Sequence, residues 1–163
     1  MAKSKHPKGP HEVRISNRKA WHDFFVSEKV ECGIQLTGTE VKSLRRGQAK
    51  IDEAYARVRD GEVFLIGANI ATYPNAAAGL QHDPVRDRKL LLSRRQIAQL
   101  ETHVRQKGKT LIPLAVYFKR GWAKCELGVA TGKRQYDKRE SIRQREQQRE
   151  VSRAMQRRGR GRE

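Results

Sequence analysis

Two pairs of β-rich runs, each pair joined by a residue–glycine dipeptide, commit this chain to antiparallel sheet. In DEAYARVRDGEVFLIGANI the runs flank Asp60-Gly61, a dipeptide that tolerates the positive dihedrals of a tight hairpin. In TLIPLAVYFKRGWAKCELGVA they flank Arg120-Gly121, with Ile112, Leu114, Val116 and Phe118 predicted on one face of the first strand and Ala123, Cys125, Leu127 and Val129 on one face of the second. A further period-two run sets Val30, Cys32, Ile34 and Leu36 against Glu31, Gly33, Gln35 and Thr37, so Glu31 points outward.

Short helices punctuate these strands. Val13 and Ile15 read as a brief strand, after which Ser16 or Asn17 caps a helix whose Ala20, Trp21, Phe24 and Phe25 fall at helical spacing and are expected in the core. TEVKSLRRG reads as a short helix capped by Thr39 and stopped by Gly47, its free face crowded with Lys42, Arg45 and Arg46. Ser93 and Gln96 form a capping box before the stripe Ile97, Leu100 and Val104, with RKLLL a short strand ahead of it. Residues 72–87, with two prolines and little periodicity, read as a long surface loop.

The chain has 163 residues, enough for one domain with one core. Several strands with interposed short helices fit a mainly β fold: a small, partly open OB-like antiparallel barrel of five or six strands spanning residues 12–131. Residues 1–11 carry Lys3, Lys5 and Lys8 among Pro7, Gly9 and Pro10 and read as a flexible basic arm. Cys32 and Cys125 both lie in apolar alternations and are expected as packed thiols.

Charge narrows the function. The formal net charge is +18, a field that concentrates polyanions, with nucleic acid the first candidate. No apolar stretch approaches the roughly 20 residues of a membrane span, and the amino end lacks the apolar region of a secretory signal, so a cytoplasmic location is expected. Residues 131–163 hold twelve Lys or Arg against five Asp or Glu, a net of +7, which leaves +11 for the other 130 residues.

The tail, residues 132–163, has no glycine or proline between Lys133 and Arg158, and its Glu, Gln and Arg favour helix. Its apolar residues are few, so it is expected to be disordered alone and helical against a polyanion. A charge run of this kind is commonly a solvated face; in GKRQYDKRE, Tyr136 adds a flat stacking surface among cations suited to phosphate.

Catalytic constellations are not found. GVATGKR approaches a phosphate-binding loop, but its spacing is one residue short and Arg134 stands where magnesium needs a hydroxyl. The five histidines, at positions 6, 11, 22, 82 and 103, do not join the cysteines at zinc-ligand spacing, and no nucleophile elbow is present. The sequence therefore suggests neither enzyme, metal nor cofactor.

NRKAWHDFFV, ECGIQLTGTEVKSLRRG, DGEVFLIGANI, RDRKLLL and GKRQYDKR, in that order, closely resemble the small protein B family, the RNA-binding partners of bacterial transfer-messenger RNA (tmRNA). The resemblance covers nearly the whole chain. It implies a barrel that grips the tRNA-like part of tmRNA and a tail that enters the decoding region and vacant messenger channel of a stalled ribosome, folding there into a helix. Association with elongation factor Tu through charged tmRNA is a further implied partnership.

Carried over by position, the resemblance implies an RNA-facing set of Asn17, Arg18, Lys19 and Glu31. Lys42, Arg45, Arg86, Arg88 and Lys89 are further phosphate-contact candidates, each with a solvated-face alternative, and His22 either stacks on RNA or packs at the surface. Glu31 either accepts hydrogen bonds from a base amino group or ribose hydroxyl or forms a cross-strand ion pair with a lysine. In the tail, Gly132, Lys133, Arg134, Asp137, Lys138 and Arg139 match the family's decoding-centre motif, and Asp137 either orients cations or caps the helix. Tyr136 stands where many relatives carry histidine, which keeps an aromatic plane but loses imidazole protonation. A general RNA-binding or ribosome-assembly protein, and a nuclease built on scattered acids, are the alternatives.

Overall fold

The computed structural model describes residues 13–160, so the basic arm at 1–11 lies outside the described residues. β1 (Arg14–Ser16), α1 (Arg18–Asp23), β2 (Phe24–Ile34) and α2 (Gly38–Arg45) come first. β3 (Ala49–Lys50), β4 (Tyr55–Arg59), β5 (Glu62–Ile66) and β6 (Asn69–Ile70) follow, then a long loop to β7 (Arg88–Leu91). α3 (Arg94–Arg105), β8 (Lys109–Lys119), β9 (Trp122–Gly132) and α4 (Gln135–Arg160) complete the chain.

Six strands close on themselves in the order β8-β4-β5-β7-β2-β9, because β9 pairs with β8 as well as with β2. Each pairing is antiparallel, the β4–β8 join rests on Ala56 opposite Leu111, and β1 lies along the other half of the same β8 edge. This is the expected OB-like antiparallel barrel, closed by β9 where a partly open one is expected. Both hairpin dipeptides take the positive φ they invite, 53° and 72° at Asp60-Gly61 and 51° and 81° at Arg120-Gly121.

The barrel interior is filled by Cys32, Val63, Leu65, Leu90, Leu111, Val116, Leu127 and Val129 from the strands, with Leu44 of α2 and Leu100 of α3 packed in. Full burial of each such aliphatic side chain contributes about 1.5–3 kcal/mol. Cys32 and Cys125 are opposed in register and buried, with the Cys125 thiol pushed up by its hydrogen bond to Cys32 and by burial. They are packed thiols, as expected.

A second, smaller cluster sits between α1 and the outer face of β2, β8 and β9, formed by Ala20, Ile112, Leu114 and Ala130 with Phe24 and Val26 against it. Two bulges make it possible. The register slips between Val26 and Glu28 in β2 and between Pro113 and Ala115 in β8, and one extra residue moves every later side chain to the opposite face. The predicted single face of β8 is thereby split: Val116 and Phe118 face the barrel, Ile112 and Leu114 the outer cluster. Gly128 lies where the strands crowd, since a Cβ there would meet Val26 Cγ1 at 3.0 Å and Leu114 Cδ1 at 3.1 Å.

Three further expectations are corrected. α1 ends at Asp23, and Phe24 is extended (φ −130°, ψ 150°) because the Phe-Phe-Val run pairs with β9 instead of continuing the helix. Trp21 and Phe25 are 41% and 53% exposed, so the aromatic stripe is only partly core. Thr37, not Thr39, caps α2, its amide donating to Glu40 Oε2 at 2.8 Å.

The loop before β7 contains neither helix nor strand, as expected, yet it is pinned. The fully buried Glu40 carboxylate accepts Arg86 Nε at 2.9 Å and Nη2 at 2.6 Å, and Arg88 Nε at 2.9 Å. Arg88 also donates to the carbonyls of Ala68, Arg86 and Pro84, and His82 bridges the Thr39 hydroxyl and the Ile70 carbonyl. Burial works against the Glu40 charge, but the Arg86 hydrogen bond, the Thr37 amide and the two guanidinium charges outweigh it and hold the carboxyl below its ordinary value.

Candidate RNA interface

On the outer face of β2, β9 and β8 the strand alternation presents a band of charged groups. Glu31 Oε2 accepts the Tyr117 hydroxyl at 2.5 Å, and both its oxygens lie 3.0 Å from Lys119 Nζ. The Tyr117 hydrogen bond, with Lys119, holds the Glu31 carboxyl below its ordinary value, while burial and Glu31 itself push the Tyr117 hydroxyl up to about 12. Near neutral pH Glu31 is therefore an ionised acceptor and Tyr117 a neutral donor. The ion-pair alternative for Glu31 is realised, with Lys119 of β8; a carboxylate has about four acceptor sites, so capacity for another donor remains.

The band runs into a groove of about 500 Å³ lined by Gly33, Gln35, Leu36, Leu91, Trp122 and Lys124. Trp122 is 74% exposed and Leu91 52%. Gly33 keeps the floor low: it pairs with both Leu91 and Lys124, and a Cβ there would stand 3.2 Å from Leu91 Cβ. An open indole beside an ammonium group offers stacking to a base and charge to a phosphate. These residues were missed from sequence, although Ala123 and Cys125 facing inward already imply Trp122 and Lys124 facing out.

The expected RNA-facing residues divide. Arg18 is exposed, Lys19 is exposed and 3.5 Å from Glu53, and His22 Nδ1 lies 2.9 Å from Asp23 Oδ1. Lys42 and Arg45 project from α2 over the rings of Tyr73 and Phe118, and Arg46 joins Lys42 on Tyr73. Lys89 is paired with Glu62, and Arg86 is committed to Glu40.

Two candidates are corrected to interior roles. Asn17 is buried; its Nδ2 donates to the carbonyls of Ile51 at 3.1 Å and Pro113 at 3.0 Å, and its Oδ1 accepts the Ala20 amide at 2.8 Å. Its polar atoms are spent capping α1 and tying it to the barrel. Arg88 is buried in the Glu40 cluster, which leaves it no surface to offer a phosphate.

At the other end of the sheet the tail begins. Gly132 pairs with Phe24, the Lys133 amide donates to the Asp23 carbonyl at 2.8 Å, and Lys133 Nζ reaches the Trp21 carbonyl at 3.1 Å. Asp137 Oδ2 accepts the Arg134 amide at 3.2 Å from the third helical position, the capping role allowed for it. Lys138 pairs with Asp23 at 3.0 Å, and Arg134 and Arg139 are exposed. Tyr136 lies in the first turn of α4, with its side chain outside the described part of the structure.

From Ile142 onward the described side chains of α4 are exposed, and Arg145, Arg149 and Arg153 line one ridge at four-residue spacing. No helix among the described residues is long and apolar enough to cross a membrane.

Comparison with known proteins agrees with this arrangement. The chain is 51% identical over 155 residues to a protein of Chloroflexus aurantiacus (strain ATCC 29366 / DSM 635 / J-10-fl), with 95% of this chain and 94% of that one covered. It is 49% identical over 149 residues to one of Macrococcus caseolyticus (strain JCSC5402), covering 91% and 97%. Both relatives are described as SsrA-binding proteins. A solved structure described as "tmRNA-SmpB: a journey to the center of the bacterial ribosome" superposes with a TM-score of 0.64 at 45% identity, over 80% of this chain and 94% of that one. The family model described as SmpB protein matches residues 14–157, and the chain belongs to that family.

Proposed function

We propose that this protein is a noncatalytic RNA-binding factor of trans-translation: its barrel holds the tRNA-like domain of tmRNA, and its tail directs the complex to stalled ribosomes. The tail occupies the decoding region and the empty messenger channel, and elongation factor Tu joins through the charged RNA. The setting is the bacterial cytoplasm.

The observation that carries the reading is the division of labour between a closed barrel with an outer face of Glu31, Lys119, Lys124 and Trp122, and a cationic helix that leaves it at one point. Phosphate neutralisation by the lysines supplies affinity, while a stacking indole and an acceptor carboxylate select exposed bases and 2′-hydroxyls. The tail has too few apolar groups to require the barrel beyond its first turn, so its helix is available to line an RNA-walled channel.

The test compares the full chain with one ending at Gly132. tmRNA affinity at physiological salt should stay within a few-fold, while tagging on stalled ribosomes should vanish. Normal tagging by the shortened chain would remove the tail from the mechanism, and equal binding of unrelated structured RNA by the full chain would favour a general RNA-binding protein.

A further inference from the structure

The chain leaves the barrel beside Asp23, the last residue of α1. The Asp23 carbonyl accepts the Lys133 amide at 2.8 Å, and its Oδ1 lies 3.0 Å from Lys138 Nζ and 2.9 Å from His22 Nδ1. Lys133 reaches the neighbouring Trp21 carbonyl at 3.1 Å and lies 4.8 Å from the centre of the Phe25 ring. These carbonyls belong to the C-terminal end of α1, where intrahelical partners run out and cations are favoured. The hydrogen bonds from His22 and Lys138 hold the Asp23 carboxyl below its ordinary value, and its side chain is only 22% exposed.

Among the described residues, Lys138 is the last of α4 to form an ion pair with the barrel, and α1 is the main element that α4 touches. The direction of a helix of 26 residues, roughly 39 Å long at 1.5 Å per residue, is therefore set by the contacts of its first turn.

We propose that Asp23 is the positioning residue of the tail: by holding Lys133 and Lys138 against the end of α1, it fixes the angle at which α4 leaves the barrel. A helix presented in one direction loses less orientational freedom on engaging a partner than a swinging tether does. The inference rests on the reading of the tail as the ribosome-directed element.

The experiment uses full-length protein with spin labels at Lys107→Cys, in the turn after α3, and Gln148→Cys on α4; the native Cys32 and Cys125 are buried and stay unlabelled. The parent should give one narrow distance distribution, because contact with α1 nucleates a helix that a detached tail would have to nucleate by itself; a broad one would overturn the proposal. Asp23→Asn, which keeps the shape and removes the charge, should broaden it, as should Lys138→Gln, and the exchange Asp23→Lys with Lys138→Asp should narrow it again. In parallel, unlabelled Asp23→Asn should bind tmRNA within about twofold of the parent and lose tagging rate by about two- to fivefold at subsaturating protein, the scale of one solvent-accessible ion pair.

An unchanged distribution in both single variants would overturn the proposal, and so would a broadened one with unaltered tagging. Failure of the parent itself to bind tmRNA would sink the functional reading instead, and the distances would still judge the clasp.

Discussion

Glu31 of β2 and Glu126 of β9 are direct partners in the antiparallel register, two carboxylates facing each other on one outer sheet face. Like charges so placed repel, and the pair is held because each acid is compensated separately. Glu126 takes Arg14 at 2.7 Å and Lys29 at 3.7 Å, and Glu31 takes Tyr117 and Lys119. Glu31 is thus kept ionised and braced at the surface of a strongly basic protein.

If Glu31 does no more than neutralise Lys119, then Glu31→Gln frees an ammonium and RNA affinity holds or rises. As an acceptor for an RNA amino or hydroxyl group it behaves oppositely. We expect Glu31→Gln to weaken tmRNA binding by about 5- to 50-fold, the range of one good polar readout contact, with little change in the melting temperature; titration at fixed salt decides.

The Glu40 cluster makes a prediction about pH. A carboxyl with a lowered folded-state value binds fewer protons in the native than in the unfolded chain, so stability rises with pH in this range. Its contribution is complete above the ordinary value of 4.5 and is lost as pH falls through the depressed one. Glu40→Gln, which strands Arg88, should cost about 3–5 kcal/mol at neutral pH and flatten the fall of the urea midpoint below pH 4.5. Adding Arg88→Met should recover part of the loss.

Lys133→Ala with Arg134→Ala separates affinity from signalling. Neither residue lies on the Glu31–Trp122 face, so tmRNA binding should change by less than about threefold while tagging falls at least tenfold, a loss of about 1.4 kcal/mol or more in the productive step. Equal losses in a binding titration and a tagging assay would reduce the tail to a nonspecific cationic tether.

A peptide of residues 133–163 tests whether the helix depends on its surroundings. Ile142, Val151 and Met155 are all exposed on α4, so packing adds little and the peptide is left to marginal intrinsic propensity. Circular dichroism should show little helix in buffer and a marked gain on adding structured RNA. Strong helicity without RNA would mean that the conformation seen in the structure needs no partner.

Much of this protein is legible in its sequence because local chemistry agrees with the fold. Asp60-Gly61 and Arg120-Gly121 announce their hairpins, the Ser93–Gln96 box starts α3 as read, and the stretch without glycine or proline between Lys133 and Arg158 is helical from Gln135 onward. What escaped depends on contacts between distant residues. An inserted residue at Ser27 or Leu114 leaves composition untouched yet reverses which face is buried, and Arg88 looks like any cation until Glu40, 48 positions earlier, is placed against it. Asp23 looks like an ordinary helix end until the tail returns to it.

The placement of β9 has a mechanical consequence. This strand is paired along its length with β2 on one side and β8 on the other, and it runs directly into the tail. Tension applied through α4 would load two long ladders in shear, where many hydrogen bonds must yield together, instead of peeling an edge open one bond at a time. The tail can therefore be tugged by a moving partner without unravelling the body that carries it.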